Sequence, residues 1–145
     1  MSEKRVLGID YGSVRIGVAV SDPLRIIAQS VGAFPNDSTA AKTIADVAQQ
    51  YDVGMIVVGM PLTLKGEKGM KAEEVERFIA KLSSLVTAEI VRWDERFTTR
   101  LAQQTLIDMG TTKKQRRTQK GRVDAIASAL ILQSFLDQTK HSLGC

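Results

Sequence analysis

Cysteine and histidine are almost absent from this sequence of 145 residues, and aromatic residues make up only 5% of it. The single cysteine, Cys145, is the last residue, so the chain can form no intrachain disulfide and no cysteine-rich zinc site. This cysteine usage predicts a reducing, cytoplasmic compartment. The single histidine, His141, lies in a polar C-terminal segment, which argues against Ser/His/Asp or Cys/His catalysis.

Long apolar runs are also missing. No stretch approaches the roughly 18 apolar residues of a membrane-spanning helix. Lys4 and Arg5 are followed by Asp10 and Arg15, which interrupt the chain before an apolar run of signal-peptide length develops. The sequence therefore predicts no membrane association. The Gly-x-x-x-x-Gly-Lys-Ser/Thr motif is absent as well, which excludes a P-loop.

The overall composition is typical of one globular domain. Hydrophobic residues make up 43% and charged residues 25% of the chain, close to the averages for globular proteins. The length falls within the usual range of roughly 100 to 200 residues per domain. Lys and Arg number 20 against 16 Asp and Glu, and the net charge of +4 permits a polyanionic partner without requiring one.

Apolar runs and turn residues predict five strands. The first two flank Asp10-Tyr11-Gly12-Ser13, which is the pattern of a hairpin, and the fourth is a continuous apolar run typical of a strand buried on both faces. The predicted strands cover residues 6–9, 15–20, 24–34, 54–60 and 88–93.

Helical spacing of apolar residues predicts four helices. The first is capped by Asp37 or Ser38, and the apolar stripe of the second continues through Leu85 and Val86. A third helix is expected from residue 98 or 99 to 109 and a last one from residue 123, with a loop at 61–69. Three strands followed by βα units predict an α/β domain with one mixed sheet flanked by helices.

Three acidic residues occupy the ends of predicted elements. Asp10 ends the first strand, Glu95 follows the fifth, and Asp124 borders the apolar face of the last helix. Carboxylates at the ends of central strands point into the crevice where open α/β sheets bind ligands. Converging carboxylates repel one another unless a cation neutralises them, and ligation by oxygen alone favours Mg²⁺ or Mn²⁺. Such a site suits metal-assisted phosphoryl chemistry.

Each of these acids also has a simpler interpretation. Asp10 could start a turn, and Asp124 could be an acidic first-turn residue favoured by the helix dipole. Glu95 could pair with Arg92 or Arg96 at the surface. All three acids lie at the end of an element and are flanked by apolar sequence. This shared position favours a metal site, whereas no single acid does so by itself. The acids expected on a solvated helix face instead are Glu73, Glu74 and Glu76.

Six cations and no acid lie in the segment from residue 113 to 122. They are Lys113, Lys114, Arg116, Arg117, Lys120 and Arg122. Without them the chain has 14 basic and 16 acidic residues, so its positive charge is local to this basic segment. We expect the segment to hold nucleic-acid phosphates beside Asp124, although a solvated loop explains the charge equally well. It has no aromatic residue, so base stacking is not expected as its main contact.

Four sequence blocks resemble one known family. They are GIDYGSVRIGVAVSD from Gly8, VVGMPLTLKGEKG from Val57, WDERFTTRLAQQTL from Trp93 and KGRVDAIASALILQSFLD from Lys120. They look like the signature blocks of the YqgF family of pre-16S rRNA nucleases, also described as Holliday-junction-resolvase-like. The blocks follow in order over nearly the whole chain. Met60 stands where that family usually has Leu, and Arg122 where it commonly has Lys.

This resemblance implies a single RNase H-like domain around a five-stranded mixed sheet, which we expect over residues 1–138, with a tail at 139–145. It also implies a divalent-metal nuclease site carried by Asp10, Glu95 and Asp124, the same residues that their positions single out. The expected substrate is precursor ribosomal RNA, and four-way DNA junctions are the alternative. Whether the chain acts as a monomer or a dimer is left open.

Two other classes of protein stay open. A non-catalytic nucleic-acid-binding or ribosome-assembly module would keep the fold and would still bind nucleic acid after loss of the carboxylates. A small nucleotide phosphotransferase would share the Asp-x-Gly that follows the first strand. Such phosphotransferases need two domains around the nucleotide, however, and 145 residues supply only one.

We predict that neutralising Lys113, Lys114, Arg116 and Arg117 weakens RNA binding and flattens its salt dependence, because each phosphate contact releases counterions. The fold should stay intact. Fluorescence anisotropy at several salt concentrations measures both quantities. If the four changes left RNA binding unaltered, the basic segment would be a solvated loop that does not contact nucleic acid.

Overall fold

The structure, a computed structural model, describes residues 4–61, 69–95 and 120–142, without the side chains of residues 120–125 and 140–142. Within these ranges three helices and five strands follow one another along the chain. They are β1 (Arg5–Tyr11), β2 (Arg15–Ser21), β3 (Ala28–Pro35), α1 (Ala40–Gln50), β4 (Val53–Met60), α2 (Met70–Ser83), β5 (Glu89–Asp94) and α3 (Lys120–Ser142).

The five strands form one mixed sheet in the order β3-β2-β1-β4-β5. β2 runs antiparallel to both β1 and β3, which confirms the predicted hairpin. β4 runs parallel to β1, and β5 runs parallel to β4. The carboxyl ends of β1, β4 and β5 therefore meet at one edge of the sheet, here called the carboxyl edge.

Side chains alternate between the two faces of each strand, so the sheet has a hydrophobic core on either side. Leu7 and Ile9 of β1 belong to the core covered by α1 and α2. Val6 of β1 and Val57 of β4 belong to the core covered by α3. No helix in the described ranges is long and apolar enough to cross a membrane.

Close contacts fix α3 over the sheet. A Cβ at Gly8 of β1 would lie 2.6 Å from the Cβ of Leu132, so only glycine lets the helix approach this closely. The buried side chain of Gln133 accepts a hydrogen bond from Ala28 N at 2.9 Å and donates one to Ile26 O at 3.0 Å. These contacts set the position of the α3 residues that reach the carboxyl edge.

Local hydrogen bonds shift two predicted boundaries. The third strand begins at Ala28, not at residue 24, because Asp22 Oδ1 accepts hydrogen bonds from the backbone N of Ile26 and Ile27 and holds a turn. The N-cap of α1 is Thr39, not Asp37 or Ser38. Asp37 Oδ1 accepts hydrogen bonds from the N and Oγ1 of Thr39, which places the acid in a turn before the helix.

The second and last helices also differ from expectation. α2 ends at Ser83, so Leu85 and Val86 lie beyond it, and Leu85 is 47% exposed rather than part of the buried stripe. α3 begins at Lys120 instead of residue 123 and continues to Ser142, so the end of the basic segment and the start of the predicted tail are both helical. The 1–138 domain boundary itself stays a prediction.

α3 is buried on more sides than its apolar stripe predicts, since Ser128, Gln133 and Ser134 are buried together with the apolar residues. The predicted helix at 98–109, most of the predicted loop at 61–69 and residues 113–119 of the basic segment lie outside the described residues.

Candidate active site

Asp10 and Glu95 lie together at the carboxyl edge. Asp10 is the next-to-last residue of β1, and Glu95 directly follows β5. β4 lies between these two strands and runs parallel to both, which brings their carboxyl ends to the same edge. The two side chains are hydrogen-bonded to each other. Two of the three acids predicted from their positions at strand ends are thus in direct contact.

Strand alternation explains why both carboxylates lie on the face covered by α3. Val6 of β1 packs in the core beneath α3, and Asp10 follows it four residues later, on the same face. Val91 and Trp93 of β5 pack against that core too, and Glu95 continues the alternation two residues further on.

Gly59 of β4 makes room for the side chain of Glu95. A Cβ at this position would lie 2.9 Å from Glu95 Oε1 and 3.1 Å from Glu95 Cγ, and 2.7 Å from the Cδ1 of Ile131. Any other residue would therefore displace the side chains of Glu95 and Ile131. Sequence reasoning missed Gly59, although a glycine within an apolar strand is a known sign of a close approach.

The two carboxylates share a shallow pocket of about 250 Å³ with three apolar residues of α3, which are Ala127, Leu130 and Ile131. Glu95 and Asp10 are each only partly exposed. The apolar wall limits the number of water molecules that can solvate the two charges, which raises the cost of holding both ionised.

Burial is the main reason that the pKa of Glu95 lies above its ordinary value, and the charge of Asp10 is the next. The charge of Lys71 lowers the pKa, whereas the hydrogen bond to Asp10 and the charge of Asp94 raise it further. Glu95 therefore holds its proton more readily than an isolated glutamate does. A cation placed at the same point would relieve the same repulsion.

The donor set suits a hard divalent cation. Asp10 and Glu95 line one pocket, and no histidine or cysteine is among its described lining residues. Their carboxylates provide the oxygen ligands that Mg²⁺ and Mn²⁺ prefer. Within the described residues there is no cluster of three His, Cys, Asp or Glu side chains. Asp124 lies in α3 three residues before Ala127, so its backbone is on the same side of the helix as the pocket wall. Its side chain is outside the described residues.

Arg92 does not pair with Glu95. Its Nε donates a hydrogen bond to Glu76 Oε1 at 2.6 Å, and its Nη2 donates one to Glu76 Oε2 at 3.0 Å. The expectation that Glu76 lies on a fully solvated helix face is therefore wrong, because α2 packs beside β5 and brings the two residues together. Arg96, the other suggested partner of Glu95, lies outside the described residues.

Only the end of the basic segment, residues 120–122, belongs to the described residues. Lys120 and Arg122 belong to the first turn of α3, but their side chains are outside the described residues. Lys113, Lys114, Arg116 and Arg117 lie entirely outside them. The proposed phosphate contacts of all six cations remain predictions.

Solved structures of resolvases share this fold. RuvC of T. thermophilus in complex with a Holliday junction substrate superposes with a TM-score of 0.59 at 13% identity, over 95% of this chain and 96% of that chain. The Fowlpox virus resolvase in complex with Holliday junction DNA gives 0.58 at 11% identity, over 93% and 98%. The chain therefore has the RNase H-like fold of the resolvases, which confirms the predicted fold class.

Sequence comparison gives the family. The family model described as "RuvX: Holliday junction resolvase" matches residues 4–138. A protein of Ruminiclostridium cellulolyticum named "Putative pre-16S rRNA nuclease" is 39% identical over 92% of this chain and 94% of its own length. A protein of Salinibacter ruber with the same name is 42% identical over 95% and 96%. The chain belongs to the RuvX family, and the resemblance of its four blocks to a nuclease family is confirmed.

We predict that Glu95→Gln changes how stability depends on pH in the presence of a chelator. Because the folded state raises the pKa of Glu95, the contribution of this group is complete below its unfolded pKa and is lost as the pH rises through the folded pKa. The free energy of unfolding of the wild type should therefore fall more than that of Glu95→Gln between about pH 5 and about pH 8.

Urea denaturation at the two pH values measures this difference. Glu89→Gln, which removes an exposed acid at the other end of β5, is the matched control. If the wild type and Glu95→Gln lost the same stability over this range, the two carboxylates would not repel each other as described.

Proposed function

We propose that the protein is a divalent-metal-dependent endonuclease that hydrolyses phosphodiester bonds in the processing of the pre-16S rRNA 5′ end, as part of ribosome biogenesis. The observation that carries this proposal is the contact between Asp10 and Glu95 at the carboxyl edge. Relatives 39% and 42% identical that are named for pre-16S rRNA cleavage support the choice of substrate.

Asp10, Glu95 and Asp124 are the proposed ligands of Mg²⁺ or Mn²⁺. When bound, such an ion supplies Lewis-acid stabilisation of the charge on the phosphate and lowers the pKa of the attacking water. Glu95 must give up its proton before it can act as a ligand. Because its pKa is raised, affinity for the ion should weaken as the pH falls through that pKa.

The remaining residues of the pocket position and shield the two carboxylates. Gly59 leaves the space that Glu95 occupies, and the wall of Ala127, Leu130 and Ile131 excludes water from one side. Because less water surrounds the carboxylates on that side, their interactions with a cation are stronger than in bulk water. The site is thus arranged before any substrate arrives.

The basic segment is the proposed contact for the phosphates that flank the cleaved bond. Arg122 precedes Ala127 by five residues, a separation of about 7.5 Å along the helix axis. A chain of cations that ends this close to the pocket can hold a polyanion across it. The cations proposed for this role are Lys113, Lys114, Arg116, Arg117, Lys120 and Arg122.

A four-way DNA junction is the second candidate substrate, and the description of the matching family favours it. The chemistry at Asp10 and Glu95 would be the same for either substrate. Resolving a junction requires two cuts and therefore two copies of the site. A chain that acts on junctions should form a dimer on them, whereas cleavage of a single RNA strand needs only one copy.

We predict that Asp10→Asn, Glu95→Gln and Asp124→Asn each lower metal-dependent cleavage by at least about 100-fold, since loss of a ligand should cost more than the 10- to 100-fold typical of residues behind the ligands. Precursor 16S rRNA and a four-way DNA junction are assayed in parallel with Mg²⁺ and with Mn²⁺. Glu89→Gln serves as the control for loss of one acid and should cleave like the wild type.

The pattern of activities separates the candidates. Equal activity in the wild type and the three site variants would overturn the assignment of the site. If the protein cleaved the junction but not the precursor RNA, its function would be the resolution of four-way DNA junctions. Tight RNA binding without cleavage by any form would indicate a ribosome-assembly module.

A further inference from the structure

A second cleft opens at the carboxyl edge, on the opposite face of the sheet from Asp10. It lies between the start of α1 and the length of α2, and Tyr11, the residue that follows Asp10, lines it. Its volume of about 490 Å³ is within the range of roughly 300 to 1,000 Å³ that is typical of ligand sites. Only the thickness of β1 separates this cleft from the carboxylate pair.

Arg77 and Lys81 of α2 line the cleft, and both are exposed. Within the part of the chain that the structure describes, the side chain of neither takes part in an ion pair or a hydrogen bond. Several other described cations do have partners. Lys4 pairs with Asp52, Lys42 with Asp46 and Arg92 with Glu76, while Arg25 donates to the Lys4 carbonyl and Arg5 lies over the Tyr51 ring. Two exposed cations are thus available to a ligand in the cleft.

The two cations lie four residues apart, so they are neighbours on the side of α2 that faces α1. Two acids, Glu74 and Asp37, also line the cleft. Asp37 accepts hydrogen bonds from the Oγ1 and N of Thr39, which lower the pKa of Asp37. The carboxylate of Asp37 therefore interacts with the start of α1. Glu74 is the other acid that lines the cleft, and an anionic ligand of more than one charge would outweigh it.

Tyr11 lines the cleft and is held in place by its neighbours. Its ring packs against Phe78 with 5.3 Å between ring centroids. The turn that follows is held by Asn36, whose Nδ2 donates to Gly12 O at 2.7 Å and whose N donates to Val14 O at 2.9 Å. A fixed, partly exposed aromatic ring is suited to contact with the sugar or base of a nucleotide.

We propose that this cleft is a nucleotide subsite for the strand whose cleaved phosphate lies at Asp10 and Glu95. Arg77 and Lys81 contact phosphates of that strand, and Tyr11 contacts a sugar or base. The proposal rests on the proposed nuclease function, because a strand that crosses the edge at Asp10 reaches Tyr11 next. Phosphate and ring contacts do not read sequence, so RNA and DNA strands should both bind there.

The double variant Arg77→Ala/Lys81→Ala tests the subsite. Its affinity for a short fluorescein-labelled RNA strand, and for a DNA strand of the same sequence, is measured by anisotropy over a salt series in EDTA, where no cleavage occurs. We expect affinity to fall by about 10-fold or more and the salt slope to fall by about one for each lost phosphate contact. Arg77→Lys, which keeps the charge, should retain most of the affinity.

Lys42→Ala is the matched control, because Lys42 lies on α1 outside the cleft and its side chain is 71% exposed. It should bind within about two-fold of the wild type, as expected for a surface change away from the ligand. Unchanged affinity and salt slope in the double variant would overturn the subsite. This readout does not depend on cleavage, so a failure of the nuclease proposal would appear separately, in the activity of Asp10→Asn.

Discussion

The repulsion between the carboxylates of Asp10 and Glu95 is the constraint on which this site depends. The parallel pairing of β1, β4 and β5 brings the two groups to one edge, and the missing Cβ of Gly59 lets Glu95 lie over β4. The apolar wall of α3 then withholds the water that would screen them. A proton or a cation between them would offset this cost, so the fold maintains an unfavourable contact that the proposed metal ion would make favourable.

Much of the fold could be predicted from the sequence because its signals are local. Continuous apolar runs marked β1 and β4, and turn residues marked the hairpin. Asp10 and Glu95 could be selected because each follows an apolar strand. The start of α1 and the end of α2 could not be predicted in this way. Hydrogen bonds from Thr39 to Asp37 lie at the first, and hydrogen bonds from the hydroxyls of Ser83 and Ser84 to carbonyls of the last turn lie at the second.

The contacts that define the site are long-range, and the sequence does not reveal them. Glu76 and Arg92 are 16 residues apart, and nothing in this spacing shows that they form an ion pair. Because Arg92 pairs with Glu76, it does not pair with Glu95, which contacts Asp10 instead. The role of Gly59 appears only when β4, β5 and α3 are placed together. Only the structure shows that the side chains of Arg77 and Lys81 form no ion pair within the described residues, whereas Lys42 pairs with Asp46 and Arg92 with Glu76.

The central claim is that Asp10 and Glu95 together bind a divalent cation. Calorimetric titration with Mn²⁺ is its most direct test. The wild type and the control Glu89→Gln should bind Mn²⁺ with the same affinity. Asp10→Asn and Glu95→Gln should each bind at least about 10-fold more weakly, since each removes one of the two carboxylates in contact. Equal affinity in all four proteins would show that the ion binds elsewhere and would contradict the account.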